Sequence, residues 1–336
     1  MGRVLLWAVR VVVLRACRIG RGAPMEDGPS LGQDLVKIAV PRSPARCTLG
    51  PALLTARTRQ RPAHVGGPMI TLSDADLLAR ADALSAAFLR AARGRPGTDV
   101  RIDDDVVSGL TGIPLPMFNT VTDARFAPDT VDRRIEEVLR PFRERGIDMT
   151  WRVGSTSSPG DLVDRLVAHG LRIDELLPVM ALRLDGWHPE PPAPGVAVNA
   201  VEDVAAFRTA VDIVITAFEM PAALGPVLVD RFASDAIAKD GMQRVFLATL
   251  DGRPVATSLG VLEGDVIGIY NVATLPDSRG RGAGRTVTGA AVADGRARGA
   301  VAAVLETSPL GRPVYERMGF LDVGTATMLL GTFARS

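Results

Sequence analysis

Val272-Ala273-Thr274-Leu275-Pro276-Asp277-Ser278-Arg279-Gly280-Arg281-Gly282-Ala283-Gly284 is the stretch from which the fold of this 336-residue chain is read. Upstream of it, apolar runs at 245–250, 255–262 and 266–274 are separated by tight turns at Asp251-Gly252 and Glu263-Gly264-Asp265. That spacing predicts an antiparallel three-strand meander. Downstream, the periodicity predicts a helix over 284–298, a strand over 301–307, a short helix over 309–318 and closing strands. The glycine loop therefore joins a strand to a helix. Glycines at 280, 282 and 284 remove the Cβ atoms that would keep a phosphate at a distance, and they allow positive φ. The helix start adds unpaired N–H groups and the positive end of its dipole. Arg279, Arg281 and Arg285 place further positive charge there.

Other phosphate loops fit poorly. No Gly-Lys-Ser/Thr ending is present, and the dinucleotide pattern Gly-x-Gly-x-x-Gly fails at Arg285 or Val287, depending on where it starts. The quoted run instead resembles the pyrophosphate-binding motif of the GNAT superfamily of N-acetyltransferases: Arg or Gln, two residues, Gly, one residue, then Gly or Ala. Tyr315-Glu316-Arg317-Met318-Gly319-Phe320 is similar to the same superfamily's Tyr-x-x-x-Gly-Phe element, in the same order along the chain. The resemblance covers 196–333.

It implies an α/β (α+β type) acyl-CoA N-acyltransferase fold, with a mixed, mostly antiparallel sheet flanked by helices. It also implies acetyl-CoA as acyl donor and direct attack by an amine on the thioester. Val272, Ala273 and Thr274 would carry the pantetheine arm and an N–H for the thioester oxygen. Arg279, Gly280, Arg281, Gly282, Ala283, Gly284 and Arg285 would hold the pyrophosphate. Ser308 stands where the superfamily often has an Asn that bonds the cofactor. Tyr315 is the expected general acid for the leaving thiolate. Glu219 and Glu306 are the candidate bases, with water as a further alternative. Asn271 either offers its amide to substrate or shapes a turn. The competing reading is a non-catalytic acyl-CoA-binding sensor or interaction module.

The halves of the chain resemble each other. Helices over 131–145 and 160–169 each stop at a glycine, Gly146 and Gly170, as the later ones do at Gly299 and Gly319. Phe118-Asn119 resembles Tyr270-Asn271, and both pairs read as the end of an apolar strand. This is the spacing of a diverged duplication. The first copy has Asp123-Ala124-Arg125-Phe126 in place of the glycine loop and Leu166 in place of Tyr315. The expected organisation is a disordered extension over 1–68, a degenerate GNAT-like domain over 69–187, a linker over 188–195 with four prolines, and a catalytic domain over 196–336. Met69 is a candidate true start.

Composition narrows the rest. The net charge of +1 and the 4% aromatic content give no basis for a nucleic-acid surface. The apolar run 4–19 is interrupted by Arg10, Arg15 and Arg18, so no membrane span is expected. His64, His169 and His188 lack metal-ligand spacing, so no metal is expected. Cys17 and Cys47 are the only cysteines, which fits a reducing cytoplasm. The expected partner is a small-molecule or peptide amine, and a homodimer stays open.

Overall fold

In the computed structural model, the structure describes residues 72–238 and 241–333. The expectations for 1–68 and for Met69 lie outside the described residues. Eleven strands form one sheet, in the order β1-β2-β3-β4-β11-β5-β10-β9-β8-β7-β6. The first half contributes α1 (Asp74–Ala92), β1 (Asp99–Ile102), β2 (Val107–Leu110), β3 (Thr120–Thr122), α2 (Val131–Arg145), β4 (Met149–Val153), α3 (Leu162–Ala168) and β5 (Arg172–Arg183). The second contributes β6 (Val196–Ala200), α4 (Val204–Ala217), α5 (Leu224–Ala236), β7 (Gln243–Leu250), β8 (Arg253–Glu263), β9 (Val266–Thr274), α6 (Ala283–Ala297), β10 (Ala302–Glu306), α7 (Arg312–Arg317) and β11 (Leu321–Gly331). The mixed, mostly antiparallel sheet is as expected. Among these strands of the described residues, β3 with β4 and β9 with β10 run parallel and the other pairs antiparallel.

The two halves repeat one plan. In each, a parallel strand pair is bridged by a long helix, α2 or α6, and followed by a short helix and a final strand. The helix ends match closely. Gly146, Gly170, Gly299 and Gly319 all take positive φ, which removes the Cβ clash of a left-handed residue. The next residue's N–H then bonds back into the helix: Leu171 to the Leu166 carbonyl and Phe320 to the Tyr315 carbonyl. Leu166 and Tyr315 are thus true equivalents. Asn119 and Asn271 are not. Asn119 precedes β3, whereas Asn271 lies within β9. The buried Asn119 amide bonds Thr111, Ile113 and Leu115 of the adjacent loop. Asp123, with φ 57°, shares the left-handed backbone of Asn271, with φ 49°.

The final strands are exchanged. β5 of the first half pairs with β10, while β11 of the second half pairs with β4. β5 and β11 also pair antiparallel along most of their lengths. Each half therefore closes the sheet of the other. The alternation of side chains sorts the core onto the two faces. Val179, Ala302 and Val304 join Leu77 and Leu84 of α1 and Phe207 and Leu228 of α4 and α5. On the opposite face Ile267, Ala303 and Leu305 pack under α6 and α7. Trp151 and Leu329 pack there with Ile135 and Phe142 of α2.

A chain cut at 187 leaves β4 and β10 each without the antiparallel neighbour that the other piece supplies. An unpaired, apolar strand edge associates readily. Fragments 69–187 and 188–336 are expected to aggregate when expressed singly and to co-elute as a complex when expressed together. Two stable monomeric fragments on size-exclusion chromatography would contradict the exchange.

Candidate functional site

β9 and β10 run side by side only from Val266–Gly268 opposite Ala302–Val304. Beyond Gly268 no strand among the described residues pairs with that edge of β9, while its other edge stays on β8 as far as Thr274. A bulge causes the divergence. Leu259 faces Tyr270 and Thr257 faces Ala273, so Ser258 opposes both Asn271 and Val272. The extra residue bends β9, with Asn271 in the left-handed region. The result is a wedge-shaped gap with free backbone groups of β9 along one wall.

The glycine loop lies at the end of that wall. A short 3-10 turn over Pro276–Ser278 leads into Arg279, and α6 starts after Gly282. Gly280 and Gly282 have φ of 76° and 83°. A Cβ on Gly280 would meet nothing within 4 Å, so this glycine opens onto free space. No side chain caps α6. The N–H groups of Ala283, Gly284 and Arg285 therefore have no acceptor within the helix. This geometry suits a diphosphate.

The arginines serve different ends. Arg279 turns inward, with Nε 3.2 Å from the Thr274 carbonyl and Nη2 3.4 Å from that of Ala217 at the C-terminal end of α4. A cation there answers the negative end of the helix dipole. Burial pulls this guanidinium below its usual value, and nearby Glu219 acts in the opposite direction. Arg281 bonds Asp251 on an exposed edge, and Arg285 pairs with Glu190. Segment 187–195 lies along α6. The Trp187 carbonyl accepts from Arg296, and the Ala193 N–H donates to Thr286 Oγ1 at 3.2 Å. A Cβ on Gly282 would stand 2.6 Å from the Ala193 Cβ.

The equivalent gap in the first half is closed. Phe126 N–H donates to the Ser158 carbonyl, and Ser158 N–H donates to that of Ala124, stitching the loop after β3 to the loop after β4. Phe126 is buried edge-on against Trp151, with Arg134 over its ring. Arg134 in turn is held by Asp103, Asp105 and Glu137. The gap there is bridged by its own loops, and the cation beside Phe126 is already paired.

Tyr315 on α7 is buried edge-on against Phe320, 5.9 Å between ring centres. Burial pushes its phenol up to about 12, so it holds its proton throughout the neutral range. Ser308 Oγ accepts from the Gly311 N–H at 3.2 Å, tightening the turn before α7. Glu219 is exposed, just past the end of α4, with φ 49°. Glu306 ends β10 at the lip of the gap.

Glu306 belongs to a charged group at the seam between the halves. Buried Arg152 of β4 donates from Nε to Glu306 at 2.7 Å and from Nη1 to Asp82 of α1 at 2.6 Å. Asp82 also accepts from Ser155 and from the N–H and hydroxyl of Thr156. Arg152 Nη2 is buried without a partner among the described residues. Glu175 of β5 lies half-buried in the same group. Burial, with Asp174 and Glu306 adding to it, pushes its carboxyl up to about 7. Across the gap, burial and Glu306 push the Tyr270 phenol above its ordinary value. Sequence reasoning missed Glu175 and Arg152. Their pairing depends on the strand exchange, which no local pattern announces.

With the gap, the loop and the buried tyrosine in place, comparison with known proteins bears on the second half. Residues 192–304 match the family model described as an acetyltransferase (GNAT) domain. The second half carries a GNAT domain. A GCN5-related N-acetyltransferase from Kribbella flavida superposes with a TM-score of 0.58 at 20% identity, covering 75% of this chain and 95% of that one. A GCN5-related N-acetyltransferase from Sphaerobacter thermophilus gives 0.53 at 17% identity, covering 77% and 90%. A tandem GNAT protein from the clavulanic acid biosynthesis pathway gives 0.51 at 14% identity, covering 79% and 98%. At these identities the likeness is one of fold, and it spans both GNAT-like halves. No curated protein matches. Among the described residues, no helix is long and apolar enough to cross a membrane.

Two outcomes follow for stability. Gly282→Ala forces both a positive-φ side chain and a collision with Ala193, and is expected to destabilise by about 1–3 kcal/mol. Ala193→Gly should return part of that loss, measured by denaturant unfolding; no recovery would place the strain elsewhere. Glu175 has its folded-state value raised from 4.5 to about 7. The folded chain therefore keeps a proton that the unfolded chain has lost, and stability falls as pH rises through that window. Glu175→Gln removes this loss, so the Tm advantage of the variant should grow from pH 5 to pH 8. A constant difference would refute the shift.

Proposed function

We propose that this chain is an acetyl-CoA-dependent N-acetyltransferase that passes the acetyl group directly from the thioester to an amine. The observation that carries the reading is the unpaired edge of β9 beyond Gly268, leading into the uncapped start of α6. The pantetheine arm carries amides of its own and would pair with the β9 edge as a short extra strand. Gly280, Arg281, Gly282, Ala283, Gly284 and Arg285 would take the diphosphate. The Arg285–Glu190 pair would yield to it, because a diphosphate is a stronger partner than one exposed carboxylate.

In the wedge, the N–H groups of Val272–Thr274 are suited to hold the thioester oxygen as charge grows on it. Arg279 fixes the turn between β9 and α6 through its two carbonyl contacts, which supports the reading of the loop as preorganised. Tyr315 acts as the proton donor to the departing sulfur. Its elevated value keeps the proton available at neutral pH, and proximity to a thiolate lowers the cost of giving it up. The first half acts without a cofactor of its own: its gap is filled by Phe126, and its last strand walls the working site.

Gly280 offers a clean test, because a side chain there meets open space. Asp and Asn both tolerate positive φ, so Gly280→Asp and Gly280→Asn share a strain of about 1 kcal/mol. Only the first brings a negative charge to the loop. Calorimetry with acetyl-CoA is expected to show at least about tenfold weaker binding for the Asp variant than for the Asn variant. Equal affinities would remove the diphosphate from this loop. Tyr315→Phe is expected to lower kcat by about 100-fold with the acetyl-CoA affinity unchanged. Unchanged turnover would reduce Tyr315 to packing.

A further inference from the structure

We propose that Glu175, from the first half of the chain, takes the proton from the acceptor amine bound in the second half. The inference rests on the N-acetyltransferase reading. It starts from the exchange of strands. β5 continues past the end of β10: Val179 faces Glu306, and the strand then runs back through Leu177 to Glu175. Residues 175, 177 and 179 share one face of the sheet by strand alternation. Glu175 and Arg152 both face Met328 of β11, so all three lie in one cross-strand row on that face. Glu306 and Tyr270 line the two lips of the wedge on the same side. The carboxylate therefore sits where an amine would approach the thioester from the face opposite α6 and Tyr315.

Among the carboxylates there, Glu175 is the one fitted to accept a proton. Glu306 and Asp82 are committed to Arg152 by direct ion pairs. Asp174, the neighbour of Glu175, pairs with Arg172. Glu175 has no hydrogen bond or ion pair of its own among the described residues and is only half-buried, so an incoming ammonium can reach it. Counting Asp82, Glu306 and Glu175 against Arg152, the group is net negative and attracts a cation. Arg152 supplies a second mark of a ligand: its Nη2, on the same fork as the Nε that holds Glu306, is buried and unpartnered among the described residues. A carbonyl or carboxylate oxygen next to the amine would satisfy it. The chemistry recognised is an ammonium adjacent to such an oxygen, as in a free amino acid or a peptide amino terminus.

The step balances. The ammonium gives one proton to the Glu175 carboxylate, and the freed nitrogen pair attacks the thioester carbonyl. The C–N bond forms, the C–S bond breaks, and its electron pair leaves on sulfur, which takes the proton of Tyr315. The second amine proton returns to the phenol through solvent, and Glu175 discharges its own to solvent. One proton is released overall. Near neutral pH the carboxyl is poised for this exchange, and it loses the capacity as pH falls below about 7.

The test uses the full chain, with thiol release from acetyl-CoA measured over amino acids, a dipeptide, its N-methylated form and plain alkylamines. Glu175→Gln is expected to lower kcat/KM by about 100-fold at pH 7 while calorimetric affinity for acetyl-CoA is unchanged. The wild-type inflection near pH 7 should vanish, and the loss should shrink at high pH, where free amine is abundant. Glu175→Asp should recover part of the rate. Amino acids served better than dipeptides would assign the oxygen to a free carboxylate, and the reverse to a peptide carbonyl. Intact acetyl-CoA binding with full activity and the same inflection in Glu175→Gln would overturn the proposal. So would acetyl-CoA binding by the wild type with no amine in the panel acetylated, or plain alkylamines served as well as amino acids. Absence of acetyl-CoA binding by the wild-type chain would overturn instead the reading on which it rests.

Discussion

Two parallel strands that part after three residues are the constraint on which this molecule depends. While β9 and β10 stay paired, the sheet is an ordinary packed layer with apolar side chains on both faces. Where they part, among the described residues a row of backbone donors and acceptors of β9 is left without a strand partner, along a partly exposed edge that an extended ligand can pair with. The bulge at Asn271 and Val272 enforces the parting, and the glycine loop delivers the chain from the bent strand into α6. An extended ligand ending in a diphosphate matches both parts of this surface. The first half shows the alternative outcome. The same parting there is closed by Phe126 and the hydrogen bonds of Ser158, and no ligand is called for.

The exchange of final strands gives the silent half a reason to persist. β5 and β11 lie at the centre of the sheet, each with both of its neighbours from the other half. Arg152, Asp82 and Glu306 then tie α1, β4 and β10 together across that seam. A buried ion pair is a weak source of net stability but a strong source of specificity, because either partner left alone is costly. Here it also fixes the side chain at the lip of the wedge. The half without a cofactor loop thus shapes the working site through a strand and a salt bridge.

Much of this was legible in the sequence where chemistry is local. The glycine loop, the meander before it and the tyrosine before Gly319 each depend on residues close together in the chain. The helix stops at Gly146, Gly170, Gly299 and Gly319 depend only on backbone sterics. Asn119 misled because an asparagine after an aromatic residue reads alike at a strand end and before a strand; the buried amide of Asn119 serves its own loop. β1 and β2 escaped notice because each is only four residues long. The strand exchange was beyond reach, since it pairs β5 with residues more than a hundred positions away. Glu175 went with it: its segment reads as the margin of a strand until β10 is known to lie beside it.

A crystal structure of the full chain with coenzyme A tests the central claim most directly. The account predicts the diphosphate on the N–H groups at 280–285, with the pantetheine arm paired to β9 beyond Gly268. A wedge still empty, with the coenzyme bound on another surface, would contradict it.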